Sequence, residues 1–145
     1  MERPLLGDYH VLLDAKNRVA VPAKLRSAFA DGIVVTYGDE GCLSGFTEEG
    51  FLEDLERRAQ VTPVMSAEGR AIQRLHASQA VSQSLDAQGR ITLPARHLTR
   101  AGITREVTVI GVRDHIEIWD SARWERYRER YEGGTDATAD DLAAG

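Results

Sequence analysis

The sequence predicts an α+β fold, mainly β, built from two tandem modules of one design with helices on the periphery. Three observations carry that reading. "LDAKNRVAVPAKLR" at 13–26 returns as "LDAQGRITLPARHL" at 85–98. Around both copies, apolar residues alternate with period two over short runs, as in half-buried strands. Each copy then closes on a stretch of helical period. In 145 residues, two modules of roughly 60 residues would each bury only a marginal core alone, so the modules are expected to pack on each other.

The elements follow in order. "RVAVP" and "RITLP" read as short strands ending at Pro22 and Pro94. Proline suits the first turn of a helix, where no N–H is needed. "AKLRSAFA" and "ARHLTRAG" are therefore short helices, the second closed by Gly102. "GIVVTYG" (32–38) is answered by "EVTVIGV" (106–112), and "CLSGFT" (42–47) by "HIEIWD" (115–120). The turn Asp39-Glu40-Gly41 is answered by Arg113-Asp114. Val107, Val109, Ile116 and Ile118 fall at period two across that turn, which predicts a hairpin.

Thr47 and Asp120 are N-cap candidates for helices over 48–59 and 121–132. Glu48 and Glu49 suit the positive helix start. Phe51, Leu55 and Ala59 should bury one stripe. Phe46 and Trp119, like Phe51 and Trp124, stand at equivalent positions and read as core. Trp124, Tyr127 and Tyr131 form an aromatic stripe expected to pack on the other half or on a neighbouring subunit. Residues 5–60 thus form the first module and 80–132 the second. Between them, 61–79 is a helical connector with Ala71, Ile72 and Leu75 on its inner face. The acidic tail, 133–145, has no periodicity and is expected to be disordered.

The net charge is −5, but it is distributed unevenly. Residues 1–26 carry +2 and 70–100 carry +4, while 27–69 carry −7 and 101–145 carry −4. Both copies of the repeated loop lie in the basic segments. Glu53, Asp54 and Glu56 form an acidic helix surface, either solvated or facing a basic neighbour. Cys42 is the only cysteine, so an intrachain disulfide is excluded and a buried, inert thiol is expected. The N-terminus lacks the apolar core of a signal peptide, and no run approaches the ~20 apolar residues of a membrane span. A cytoplasmic protein is expected. His10, His76, His97 and His115 share no metal-ligand spacing and read as surface or half-buried side chains. No serine stands in a nucleophile motif, and no glycine loop suits a phosphate. No cofactor, small-molecule substrate or enzymatic activity is expected.

The loop itself has a mechanical logic. Asp14 and Asp86 can accept hydrogen bonds from their own downstream N–H groups, as Asx turns do. Gly89 takes a positive φ without steric cost. Asn17, at the same place in the first copy, tolerates left-handed geometry better than most residues. Arg18 and Arg90 close the loops. Each can pair with the loop aspartate or reach outward to phosphate or guanine.

On "LLGDYHVLLDAKNRVAVPAKLR" and "SLDAQGRITLPARHL" the chain resembles the MraZ family, within the AbrB-like group of bacterial DNA-binding proteins. The resemblance runs from about Leu5 to about Tyr131. It implies swapped-hairpin modules forming a pseudo-two-fold double-split β-barrel, and a homo-oligomeric ring, often an octamer or dodecamer. It implies a nucleoid-associated transcription regulator that binds double-stranded DNA at direct repeats upstream of the division and cell-wall gene cluster. By motif, Asp14, Arg18, Asp86 and Arg90 take the loop roles. The family more often has glycine where this chain has Asn17.

The expected DNA-binding set is Asp14, Lys16, Arg18, Lys24, Arg26, Asp86, Gln88, Arg90 and Arg96. Lysines and arginines beside the loops would fix the protein on phosphates, and the loop arginines would read guanine. Lys16 should make the first loop the stronger phosphate attractor, and Gly89 should make the second the more pliable. The rival reading is an antitoxin-like protein-interaction module on the same scaffold. The short tail, nearly free of large apolar anchors, argues against it.

Overall fold

The structure is a computed structural model. It describes residues 3–144, with side chains up to residue 133. The first half contains β1 (Asp8–Leu12), β2 (Arg18–Ala20), α1 (Ala23–Arg26), β3 (Ile33–Tyr37), β4 (Leu43–Phe46) and α2 (Glu48–Val61). After α3 (Ala67–Ser78), the second half contains β5 (Val81–Gln83), β6 (Arg90–Thr92), α4 (Ala95–Ala101), β7 (Glu106–Gly111), β8 (Ile116–Asp120) and α5 (Ser121–Ala144). The fold is α+β, with two repeats and five α-helices around a mostly antiparallel sheet.

The local signals explain the boundaries. Thr47 Oγ1 accepts the Gly50 N–H at 3.0 Å and caps α2. Asp120 Oδ2 accepts the Arg123 N–H at 3.1 Å at the start of α5. Gly102 ends α4 in the left-handed region, its φ being 66°.

The two halves are interleaved. The sheet order is β1-β7-β8-β4-β3-β5, and β2 pairs with β6 in a separate two-stranded ribbon. The first strand of each half therefore lies on the hairpin of the other: β1 on β7, β5 on β3. In the ribbon Val19 faces Ile91, its own counterpart in the repeat. In the sheet Ser44 faces Glu117, again its counterpart. A local two-fold axis through both places satisfies the two registers together. Val19, Val21, Leu25, Phe29, Ile33 and Leu43 of the first half share one core with Ile91, Leu93, Val107, Val109, Ile116 and Ile118 of the second. Each such side chain stabilises the fold by roughly 1.5–3 kcal/mol on burial.

A smaller cluster joins Cys42, Ile110 and Trp119 with Trp124 and Tyr127. Burial pushes the Cys42 thiol far above its ordinary range, so the thiol stays protonated. The aromatic stripe of α5 packs on Trp119 of its own half, with ring centroids 5.0 Å apart for Trp119 and Tyr127. The stripe thus packs on a cluster to which both halves contribute, Ile110 and Trp119 from the second and Cys42 from the first.

Three expectations change. The inner face of α3 is Gly69, Ile72, Gln73 and His76, whereas Ala71 and Leu75 are exposed. Its contacts are polar and close: Gln73 Nε2 donates to the Leu55 carbonyl at 2.7 Å, and Thr36 Oγ1 to the His76 carbonyl at 2.6 Å. His76 and His97 are buried rather than superficial. His97 Nε2 lies 2.7 Å from the Gln79 carbonyl, which only accepts, so that nitrogen carries the proton. Finally, α5 runs to Ala144, so the backbone of 133–144 is helical where composition predicts a disordered tail. The turn before it is braced, Arg128 bonding Glu125 and Glu132 at 2.8 and 2.9 Å. A Gly-Gly pair in a helix costs only about 1 kcal/mol per residue.

Candidate nucleic-acid interface

The repeated loops join β1 to β2 and β5 to β6, and the ribbon brings them together. Val19 and Ile91 point into the core, so Arg18, Ala20, Arg90 and Thr92 stand on the outer face. Arg18 lies opposite Thr92, and Arg90 opposite Ala20. The two arginines are thus diagonal neighbours on one face. Arg90 Nη1 is 3.9 Å from Asp14 Oδ2, across the two loops.

Each loop is built by its aspartate. Asp14 Oδ1 accepts the N–H groups of Lys16 and Arg18, both at 2.9 Å, and Oδ2 accepts Arg18 Nε at 2.7 Å. Asp86 repeats this with Gln88 N at 2.9 Å, Arg90 N at 2.8 Å and Arg90 Nε at 2.8 Å. The backbone N–H of Arg90, then its guanidinium and the Gln88 N–H, hold the Asp86 carboxyl down to about 2. Asp14 is lowered for the same reasons, the Arg18 N–H first. Asn17 and Gly89 are left-handed, with φ of 59° and 75°. Their carbonyls accept from the opposite module: Gly89 O from Val21 N and Asn17 O from Leu93 N, both at 2.8 Å. Each loop is therefore pinned by the other half.

This geometry decides what the arginines can do. Nε of each guanidinium bonds its own loop's carboxylate, which leaves the Nη1/Nη2 end without a hydrogen-bond partner among the described residues. That end matches a guanine O6/N7 pair or two phosphate oxygens. The side chains of Arg18 and Arg90 remain 28% and 30% exposed, enough for that end to meet a partner.

The other sequence-selected residues divide. Lys16 and Gln88 are exposed at the loop tips, and Lys24 and Arg96 are exposed at counterpart positions on α1 and α4. Arg26 is different. Its Nε donates to the Val21 carbonyl at 2.6 Å, and it lies over Gly89, where a Cβ would fall 2.2 Å from that Nε. Arg26 is a clamp on the second loop, so that loop is covered where the sequence suggested pliability. Leu98 stands at its counterpart, which leaves the first loop without this clamp. Sequence reading missed Gln83, whose amide bonds the Thr92 carbonyl and N–H, both at 2.9 Å, and occupies the free edge of β6. Its counterpart is Val11, so the repeat carried no signal for it. Among the described residues no cluster of His, Cys, Asp or Glu suits a metal ion. Among those residues no helix is long and apolar enough to cross a membrane.

Comparison with known proteins agrees with the two-repeat architecture. A family model described as "MraZ protein, putative antitoxin-like" matches residues 5–75 and again 77–143. The transcriptional regulator MraZ of Corynebacterium glutamicum (strain R) is 41% identical over 140 residues, 97% of each chain. That of Ligilactobacillus salivarius (strain UCC118) is 37% identical over 94% of this chain and 95% of its own. That of Mycobacterium ulcerans (strain Agy99) is 40% identical over 94% of each.

Proposed function

The chain belongs to the MraZ family, and from that premise we propose that it is a sequence-specific DNA-binding transcription regulator. The observation that carries the reading is the ribbon. It presents two aspartate-braced arginines side by side on one face, their Nη atoms without a hydrogen-bond partner among the described residues. Arg18 and Arg90 read base edges in the major groove. Lys16, Gln88, Lys24 and Arg96 hold the flanking phosphates. Asp14 and Asp86 hold the arginines in place, which lowers the entropy lost on binding. The exchange of β1 and β5 between the halves is that of swapped-hairpin modules, so one chain acts as a pseudo-dimer.

One chain offers few such contacts, and its affinity is modest. A ring of chains facing spaced direct repeats raises it through effective concentration. The family resemblance points to repeats upstream of the division and cell-wall gene cluster as the target, and to a cytoplasmic, nucleoid-associated protein. The negative net charge is compatible with this, since only one face needs to be basic.

The test is a titration of labelled upstream DNA with the wild type, Arg18→Ala and Arg90→Ala. Each arginine is expected to contribute roughly 1–3 kcal/mol to discrimination. The salt slope, set by the phosphate contacts of Lys16, Lys24 and Arg96, should change little in these variants, whereas Lys24→Ala should lower it by about one. Equal affinity and equal discrimination for the wild type and both arginine variants would refute the reading.

A further inference from the structure

The second repeat carries a feature that DNA reading does not use. Trp119, Arg123, Arg126, Tyr127 and Arg130 line a groove along α5, with Glu40 of the β3–β4 turn at its edge. Arg126 and Arg130 are exposed, and among the described residues neither has an ion-pair partner. The Arg123 guanidinium makes one long bond, 3.4 Å to the Arg100 carbonyl. The groove thus offers three guanidiniums against one carboxylate, over an aromatic floor.

The opposite surface stands on α2, the counterpart helix of the first half. Glu49, Leu52, Glu53 and Glu56 are exposed along one face, Leu52 to 59%. The three glutamates have no ion-pair partner among the described residues. Asp54, by contrast, is held by Arg58 at 2.8 Å. Aligning Phe51 with Trp124 makes Glu53 the counterpart of Arg126, so the repeat has opposite charges at one helix position.

The spacings match in reverse. Glu49, Leu52, Glu53 and Glu56 run i, i+3, i+4, i+7 along α2, whereas Arg130, Tyr127, Arg126 and Arg123 run i, i−3, i−4, i−7 along α5. We propose that the α5 groove takes α2 of a second copy of this chain, antiparallel, with Glu49 on Arg130, Leu52 on Tyr127, Glu53 on Arg126 and Glu56 on Arg123. Isolated surface ion pairs contribute little. Here three surround one apolar contact, as a charged rim surrounds an interface anchor. The two faces differ, so the contact is heterologous. It leaves an α2 face and an α5 groove open at the ends of any row, and only closure into a ring satisfies every face. The inference rests on the assembly proposed above, for which it supplies the subunit contact.

The test is a charge exchange read by light scattering without DNA, at micromolar concentration. Arg126→Glu/Arg130→Glu makes both faces acidic, and Glu49→Arg/Glu53→Arg makes both basic. Each double variant alone is expected at the mass of one chain. Their equimolar mixture, and a chain carrying all four changes, should recover the wild-type mass. Recovery also shows that the variants are folded. A double variant that assembles alone, or a mixture that stays monomeric, overturns the interface. A monomeric wild type overturns the interface and the ring together. The DNA reading stands or falls separately, on Arg18 and Arg90, which these variants leave intact.

Discussion

Asp86 shows how one side chain sets the shape of a loop. Its oxygens accept three N–H groups, those of Gln88 N, Arg90 N and Arg90 Nε. An ionised carboxyl satisfies all three, and the carboxyl is therefore held down to about 2, from an ordinary value of 3.8. A depressed carboxylate contributes stability that is present above the unfolded value and lost as pH falls through the folded one. For Asp86 that window lies between about pH 4 and pH 2. Asp86→Asn should lower the melting temperature at neutral pH, and the gap from wild type should close as pH falls to 2. Thermal melts across that range check it, and two parallel curves would exclude Asp86 as the titrating group. The Asx turn and the left-handed Asn17 and Gly89 were legible in the sequence, because they depend on neighbours within four positions. The role of Arg26 was not, because its clamp lies across the ribbon on Gly89.

At the scale of elements, strands and caps follow local rules, and α3 does not. Apolar periodicity selects Ala71, Ile72 and Leu75 as its inner face. The helix instead turns Gly69, Gln73 and His76 inward, because Gln73 bonds the Leu55 carbonyl of α2 and Gly69 lies directly against the Thr62–Pro63 turn. A Cβ on Gly69 would fall 1.9 Å from the Pro63 carbonyl oxygen. Gly69→Ala should therefore cost about 1–3 kcal/mol, the ordinary penalty of overpacking, although alanine favours helix. Urea denaturation measures it, and a gain in stability would show that the Thr62–Pro63 turn gives way easily. The ion pairs at the same junction, Arg58 with Asp54 and Asp39 at 2.8 and 3.1 Å, tie α2 to the β3–β4 turn. Burial opposes the charge of His115, but Glu117 and Asp114 beside it raise its affinity for a proton, which secures the matching turn of the second half.

At the scale of the whole molecule, the halves are separate in sequence and inseparable in space. Every pairing of the ribbon crosses the repeat, as do β1 with β7, β5 with β3 and β4 with β8. Residues 1–79 expressed alone would leave β1 and β2 without partners and would expose one edge each of β3 and β4. The fragment should show no cooperative thermal transition by circular dichroism, and mixing with 80–145 should restore one. A cooperative transition in the isolated fragment would mean that the first half holds its own core.

Residue type and spacing are enough to give the repeat, the order of strands and helices, the caps and the turn chemistry of both loops. These are local consequences of residue type, and they already named the arginines. Folding in three dimensions adds that β1 and β5 cross to the opposite hairpins, that Val19 meets Ile91, and that Arg18 and Arg90 therefore share one face. It also decides that Arg26 is spent on Gly89 and that α3 turns Gly69, Gln73 and His76 inward. Those outcomes depend on which surfaces meet across the local two-fold axis, and residues far apart in the chain are matched there by packing.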